Sequence, residues 1–260
     1  MTGSSDFTSF ANAVPTGGVT ALGFVLGAVI GSFLAAVLIR WPQGRSVTRG
    51  RSECDGCGRT LRPIELIPIL SWFLAKGECR TCGGAIDKRH LAIEAGAAIV
   101  GLTAILAHPL PAAAFTAIFG WWLFLLAALD IEHHWLPDRL TLPLIPAGLA
   151  VAWAGVGPGL DERLFGAVAG YLILELIRIG YRLSRGREGL GGGDPKMLAA
   201  IGAWLGWASL PFVLLTAGLI GLAAVAAMRL RGKTVAATDR LPLGTLMALA
   251  AWPLWLLLAR

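Results

Sequence analysis

The chain has 260 residues, of which 56% are hydrophobic and only 15% are charged, and its mean hydropathy is +0.69. Charged residues make up about a quarter of soluble domains, so this composition excludes a soluble globular protein and indicates a membrane protein. We interpret the formal net charge of +6 as a topology signal and an attraction to anionic membrane lipids, with no nucleic-acid partner.

Apolar stretches of roughly the 20 residues that cross a bilayer recur along the chain. They predict an all-α polytopic membrane protein of about eight transmembrane helices, with a small cytoplasmic zinc-ribbon-like loop after the first. We place the helices at residues 18–39, 91–107, 112–130, 140–156, 163–181, 194–209, 211–229 and 242–258. We divide the chain into an acidic tail with the first helix (1–40), the loop (41–90) and a seven-helix core (91–260).

The basic residues predict the orientation, because cytoplasmic loops of membrane proteins carry an excess of Lys and Arg. With eight spans, 20 of the 22 Lys and Arg fall on one side, and only Arg163 and Arg260 fall on the other. Residues 1–17 contain Asp6 but no basic residue, which argues against a cleavable signal peptide. We expect a cytoplasmic (inner) membrane protein with both termini outside and the loop in the cytoplasm.

Three glycines at four-residue spacing, Gly23, Gly27 and Gly31, lie on one face of the first predicted helix. Small residues at this spacing let membrane helices pack closely. We expect this face to pack within the chain, with a dimer interface as the alternative.

All four cysteines lie in the loop, as the pairs Cys54/Cys57 and Cys79/Cys82. Two C-x₂-C pairs can supply four thiolates to one tetrahedral metal ion. The cytosol is reducing and disfavours disulfides. We predict a structural Zn²⁺ that holds the loop together, with four free or redox-active thiols as the alternative.

Residues 62–72, between the cysteine pairs, are apolar and interrupted by prolines. We expect this segment to lie against the membrane surface or against the helices. Glu94, near the start of the second predicted span, is an acid in an apolar setting. We interpret it as a buried structural acid paired with Arg89 or His90, with a catalytic role as the alternative.

Two acids mark the ends of two predicted spans. Asp130 ends the third span, and Asp194 begins the sixth directly after the glycine-rich turn Gly189–Gly193. Glycine lets the main chain approach other groups closely and tolerates positive φ, and Pro195 fits the first turn of a helix. Because successive spans alternate in direction, both acids fall on the cytoplasmic face at one membrane depth.

Two carboxyls within hydrogen-bond reach cannot both stay ionised, so they share one proton. The ionised carboxylate takes a proton from water while its protonated partner polarises a peptide carbonyl, which is aspartic peptidase chemistry. Asp138 is a poor partner for Asp130, because eight residues of helix would separate them by roughly 12 Å. We expect Asp138 to cap the next helix.

The other polar residues of the core favour structural roles. Glu175 has Arg178 three residues away and is expected to pair with it. His133 and His134 are adjacent, point apart on a helix and lack an HExxH motif, so they do not predict a metalloprotease.

Several ordered motifs resemble those of one family, the type IV prepilin peptidases (prepilin leader peptidase/N-methyltransferases), which are GxGD-type aspartic peptidases. The resemblance covers nearly the whole chain. The matching residues are Gly31-Ser32-Phe33-Leu34 with Arg40-Trp41-Pro42, the two cysteine pairs, Asp130 with Leu136-Pro137-Asp138, Gly191-Gly192-Gly193-Asp194 with Lys196, and Pro242-Leu243-Gly244. Two positions depart from the family pattern: Ala35 replaces a usual Asn, and Thr245 replaces a common Pro.

The resemblance implies that Asp130 and Asp194 are the catalytic acids. The residues we place as support for the active site or the substrate are Gly191, Gly193, Lys196, Pro137, Asp138 and Glu94. The implied substrate is a prepilin or pseudopilin precursor, whose short basic leader is removed at the cytoplasmic membrane face. Methylation of the new N-terminus by S-adenosylmethionine, and contact with a pilus or secretion machine, are further implications. Ala35, which replaces the usual Asn of the opening motif, weakens the inference of methylation.

Two other classes of function compete with the peptidase. A proton-coupled transporter would need acids along a transmembrane path, whereas the two acids here cluster at one face. A membrane scaffold would use the zinc loop to dock a secretion or pilus machine, and that role is compatible with catalysis.

Overall fold

A computed structural model of the chain describes residues 16–47, 50–232 and 241–259. The acidic tail with Asp6, and the basic residues Arg49, Lys233, Arg240 and Arg260 that enter the orientation argument, lie outside the described residues. The chain divides into two compact units, Met1–Trp121 and Trp122–Arg260, and each is described by itself.

Helices account for the regular structure of the described residues, in which no strand forms and only two isolated β-bridges occur. The all-α class is therefore confirmed. In chain order the α-helices are α1 (Thr16–Arg40), α2 (Leu70–Leu74), α3 (Lys88–Ala107), α4 (Ala112–His133), α5 (Asp138–Val151), α6 (Leu160–Arg185), α7 (Gly193–Leu205), α8 (Leu210–Leu230) and α9 (Leu243–Leu258).

Five of these helices are long and apolar enough to cross a membrane, which makes the chain a multi-pass membrane protein. The candidate spans are Gly17–Gln43, Lys88–Ala107, Ala112–His133, Leu160–Arg185 and Trp207–Leu230. Each of the eight predicted spans has a helix near its position. However, α5, α7 and α9 contain only 14, 13 and 16 residues, and the count of eight spans is not confirmed.

In the first unit, α1 packs against α3 through its glycine face. A Cβ on Gly31 would lie 2.7 Å from Glu94 Cα, and a Cβ on Gly23 would lie 2.9 Å from Gly101 O. Gly27 approaches the Ala97 carbonyl even more closely. The prediction that this face packs within the chain is confirmed.

The second unit is built around α7, in which 11 of the 13 residues are buried. This helix packs against α5, α6 and α9. It crosses α6 at Gly166 and Gly202, where added side chains would collide with main chain. The helix ends at Leu205 because Gly206 takes a φ of 76°, outside the helical region.

Arg163 lies inside the second unit and is fully buried. Its guanidinium donates to main-chain oxygens of Gly148, Val156, Pro158 and Ala203. A buried charge needs such partners. Arg163 is therefore a structural cation of the second unit, and its place in the orientation argument stays a prediction.

Candidate active site

The Asp130 side chain lies in the last turn of α4 and is 5% exposed. Its Oδ2 accepts a hydrogen bond from Thr245 N at 2.8 Å. The Thr245 hydroxyl donates to Ala127 O at 2.9 Å and lies 3.3 Å from the same carboxylate oxygen. Thr245 belongs to the first turn of α9, where main-chain N–H groups are free and the helix dipole favours negative charge. The carboxylate of Asp130 is thus held at the amino end of α9.

The Asp194 side chain lies at the second residue of α7 and is 8% exposed. Its Oδ2 accepts a hydrogen bond from Gly191 N at 3.0 Å, so the glycine-rich turn closes on its own acid. No glycine of Gly189–Gly193 has positive φ. These glycines instead allow close approach, as Gly189 does where it packs against the Tyr181 ring.

Leu136 packs against the first residues of both α7 and α9. A Cβ on Gly193 would lie 2.7 Å from Leu136 Cβ, and a Cβ on Gly244 would lie 2.8 Å from Leu136 Cδ1. Gly193 directly precedes Asp194, and the same Cβ on Gly244 would lie 3.0 Å from Asp130 Oδ2. One leucine side chain therefore touches the main chain beside each acid.

Asp130 and Asp194 lie in the same unit, and both side chains are buried. Their hydrogen bonds come from main-chain N–H groups and one hydroxyl. Sharing of one proton between them, the chemistry expected from the sequence, stays a prediction.

Lys196 forms an ion pair with Asp138, with Nζ 2.6 Å from Oδ1 and 2.8 Å from Oδ2. The pair joins the start of α7 to the start of α5. Asp138 is the first residue of α5, Pro137 holds the capping position, and no side chain caps this helix. The prediction that Asp138 caps the helix is therefore wrong, because its carboxylate binds Lys196.

Two contacts of this site were missed by sequence reasoning. Thr245 was noted only as a departure from a family pattern, and Leu136 only as a letter within a motif. The available signal was that Thr245 directly follows a Pro-Leu-Gly sequence and that Leu136 begins a Leu-Pro-Asp sequence. This signal does not predict that Thr245 binds an acid 115 residues away, or that Leu136 packs against glycines of other helices.

Glu94 lies in the first unit, buried on α3, and its Oε2 accepts a hydrogen bond from Ile69 N at 2.6 Å. Arg89 pairs with Asp87 at 2.6 Å, and the expected pairing of Glu94 with Arg89 or His90 stays a prediction. His90 lies close enough for the charge of Glu94 to act on it. Support of the active site by Glu94 stays a prediction.

Glu175 and Arg178 form the expected ion pair on α6, with nitrogen–oxygen distances of 2.6 and 3.0 Å. This prediction is confirmed. Glu175 is thereby occupied as the partner of a cation.

The four cysteines meet in one cluster. The sulfur atoms of Cys54, Cys57, Cys79 and Cys82 all lie within 4.8 Å of one another, and Cys54 Sγ is 3.9 Å from Cys82 Sγ. Sulfur atoms at ~2.3 Å from a tetrahedral Zn²⁺ are about 3.8 Å apart, so these donors fit that metal. Four thiolates fill its coordination sphere, which suits a structural role.

Each cysteine pair sits in a tight turn closed by one β-bridge, Glu53 to Thr60 and Glu78 to Ala85. Gly58 and Gly83, which follow the pairs, have φ values of 70° and 68°. At these positions a residue without a Cβ is required.

Arg59, in the same loop, binds both the cysteine cluster and Glu65. Its Nε donates to Cys79 Sγ at 3.5 Å, and its two terminal nitrogens bind Glu65 at 2.6 and 3.0 Å. The main-chain N–H of Cys82, together with the Arg59 guanidinium, lowers the pKa of the Cys79 thiol to about 5. Cys79 is therefore a thiolate at neutral pH, the form that binds metal.

Two family models match the chain. One, described as the bacterial peptidase A24 N-terminal domain, matches residues 25–108, which include the four cysteines and Glu94. The other, described as the type IV leader peptidase family, matches residues 117–226, which include Asp130 and Asp194. No solved structure matches the chain.

Several curated proteins named prepilin leader peptidase/N-methyltransferase are similar to the chain along most of its length. The protein from Burkholderia pseudomallei strain 1026b is 39% identical over 91% of this chain and 84% of its own length. The one from Dickeya chrysanthemi is 40% identical over 84% of this chain and 86% of its own length. The one from Pseudomonas aeruginosa is 34% identical over 88% and 87%.

Proposed function

The chain belongs to the type IV leader peptidase family and is a membrane peptidase that processes prepilins, and from this premise we propose that Asp130 and Asp194 are its catalytic pair. The observation that supports the assignment is geometric. Asp130 is buried in the last turn of α4, Asp194 is buried in the first turn of α7, and Leu136 packs against main chain beside each of them.

The two acids have different surroundings, which favours different roles. Asp130 accepts the Thr245 N–H at the amino end of α9, whereas Asp194 accepts the Gly191 N–H of the turn before it. Thr245 offers Asp130 two donor groups, its N–H and its hydroxyl, whereas Asp194 has one among the described residues, so negative charge is better stabilised at Asp130. We assign Asp130 as the base that takes a proton from the attacking water, and Asp194 as the protonated acid that polarises the scissile carbonyl.

The other residues of the site hold this pair in place. Gly191 donates to Asp194, Gly193 admits Leu136, and Lys196 with Asp138 ties α7 to α5. Pro137 sets the start of α5. In this proposal these residues position the acids and do not touch the reacting atoms.

The proposed substrate is a prepilin or pseudopilin precursor with a short basic leader on the cytoplasmic side of the inner membrane. Twenty of the chain's 22 Lys and Arg lie in the segments that the orientation argument assigns to that side, which supports this placement. A structural Zn²⁺ at the four cysteines belongs to the same proposal, as does contact of the loop with a pilus or secretion machine.

The test is co-expression of a prepilin with Asp130→Asn or Asp194→Asn, followed by mass spectrometry of the prepilin N-terminus. Each variant should abolish leader cleavage while the protein stays folded in the membrane. Glu175→Gln is the matched control, because it also converts a carboxylate of the second unit to an amide. Near-normal cleavage by either aspartate variant would refute the assignment. Intact pilus or secretion assembly around an inactive variant would reveal a separate scaffold role.

S-adenosylmethionine is the proposed methyl donor, since the relatives' name includes N-methyltransferase. The first unit contains a cavity of about 520 Å³, within the size range of small-molecule sites. Its lining includes Arg40, Trp72, His90 and Glu94. The Trp72 indole N–H lacks a partner among the described residues, and the Glu94 carboxylate suits hydroxyl or ammonium groups. When bound, the donor would supply an electrophilic methyl group.

Binding at this cavity can be tested without measuring methylation. Ultraviolet irradiation with radiolabelled S-adenosylmethionine should label peptides within residues 32–94, and Glu94→Gln should reduce the labelling. Ala98→Ser, on the same helix outside the cavity lining, is the control. Label confined to the second unit would refute the placement.

A further inference from the structure

Six large apolar side chains project outward from the segment between the two cysteine pairs. We call residues 63–74 the apolar ledge. Its exposed side chains, between 42% and 60% accessible, are Ile64, Leu66, Ile67, Leu70, Phe73 and Leu74. A contiguous apolar surface of this kind marks an interaction site.

The ledge is attached to α3 at a defined depth. Ile69 N donates to the buried carboxylate of Glu94 at 2.6 Å. Glu94 lies six residues after Lys88, the first residue of a candidate membrane span. At 1.5 Å per residue, it is about 9 Å along that span. Ile69 therefore lies beside the apolar part of the helix, beyond the polar residues at its start.

The main chain at Ile69 reverses direction. Its φ and ψ are 65° and −58°, and Leu70 N donates to Pro68 O at 2.6 Å. This is a γ-turn of the rare kind, and it is unfavourable for a β-branched residue. The bond to Glu94 holds the turn, from which the short helix α2 begins with Leu70, Phe73 and Leu74 exposed.

Charges around the ledge match a lipid surface. Exposed Arg62 and Lys76 flank it, and no acid occurs from Leu66 to Gly77. The one acid of the ledge, Glu65, is neutralised by Arg59, which lowers the pKa of Glu65 to about 2. An apolar face bordered by cations is typical of segments that lie in the interface of anionic membranes.

We propose that the apolar ledge is a monotopic membrane anchor. Its exposed apolar side chains enter the acyl region of the bilayer that α1 and α3 cross, and Arg62 and Lys76 bind phospholipid phosphates. The alternative occupant, the apolar helix of a substrate, would be present only transiently. The attachment to Glu94 instead keeps the ledge at its depth at all times, which favours lipid.

The test places the photo-reactive amino acid p-benzoylphenylalanine at single positions of the full chain, reconstituted in vesicles of phosphatidylethanolamine and phosphatidylglycerol. After irradiation, mass spectrometry identifies the adducts. Phe73 and Leu74 should each yield phospholipid adducts. Arg51 and Thr60, exposed positions of the same loop outside the ledge, are the controls and should yield at most about a tenth as much.

Equal lipid labelling at the ledge and the controls, or none at the ledge, would overturn the proposal. A second arm adds a prepilin before irradiation. Persistence of the lipid adducts supports the anchor, whereas replacement of those adducts by prepilin adducts would show that the ledge docks substrate. Leader cleavage by each labelled protein reports that the chain is folded, so loss of adducts cannot be due to unfolding.

Discussion

Neighbouring glycines of the turn before Asp194 differ in the space around them. A Cβ on Gly193 would collide with Leu136 at 2.7 Å, whereas a Cβ on Gly192 would meet only the end of the Arg178 side chain at 4.0 Å. We predict that Gly193→Ala lowers the rate of leader cleavage by roughly 10- to 100-fold, because displacing a catalytic group by about 1 Å costs that much. Gly192→Ala should stay within about threefold of the native rate. Equal effects of the two changes would show that Leu136 does not position Asp194.

The Lys196–Asp138 ion pair should stabilise the contact between the first turn of α7 and the first turn of α5. Its side chains are 29% and 55% exposed, so the coupling energy should be only about 0.5–1 kcal/mol and should weaken with salt. Lys196→Met and Asp138→Asn should each lower thermal stability slightly, and the double variant should lose less than their sum. Additive losses in this double-mutant cycle, measured by thermal shift in detergent, would contradict this stabilisation.

Single residues of the candidate site differ in how visible they are in the sequence. Asp130 and Asp194 stand out because an ionisable residue in a membrane segment is energetically costly, and for that reason rare and usually functional. Lys196 and Asp138 could be placed near the site only through the motif, and their pairing could not be derived because 58 residues separate them. Thr245 and Leu136 look ordinary in the sequence, since their roles arise from contacts between helices that local patterns do not encode.

Among the structural elements, hydropathy located eight of the nine described α-helices to within several residues and missed the short helix α2. The count of eight membrane spans is not confirmed. The predicted span 194–209 is in fact α7, which stops at Leu205, followed by a separate short turn at Trp207–Ser209. A window of apolar residues cannot distinguish a helix facing lipid from one buried among other helices. The positive φ of Gly206 that divides the run depends on local packing.

The loop that carries the four cysteines is the element whose fold should depend on a metal ion. We predict about one zinc per chain by elemental analysis of the purified protein. Cys57→Ser should remove most of the metal and expose the loop to trypsin at Arg51 and Arg62, because a structural zinc supplies folding energy. Chelation of the native protein should reproduce the effect, and Ser52→Ala is the control. Full zinc content in the cysteine variant would rule out the four-thiolate site.

At the scale of the whole molecule, the family and the membrane class follow from composition and ordered motifs, whereas the attachment of the loop to α3 does not. The sequence left two options for residues 62–72, membrane surface or helices. The structure bonds the segment to α3 through Ile69 and Glu94, and a pattern of apolar residues does not contain that contact.

Orientation is the remaining prediction at this scale. Protease added to inverted membrane vesicles should cut between residues 41 and 90, and protease added to intact spheroplasts should leave this loop whole, because its basic residues favour the cytoplasm. Detection of the fragments with an antibody to the loop checks the result, and a known periplasmic protein serves as the control for spheroplast integrity. Cleavage from the outer side would reverse the assigned topology.

The shortness of α7 has a consequence for how water reaches the scissile bond. Thirteen residues measure about 20 Å, some 10 Å less than the hydrocarbon layer. The helix that carries Asp194 cannot have both ends at the two surfaces of a flat bilayer. Because 11 of its 13 residues are buried among α5, α6 and α9, at least one end of α7 lies inside the protein, below a membrane surface. Water that serves the proposed acid Asp194 must then reach it through the protein.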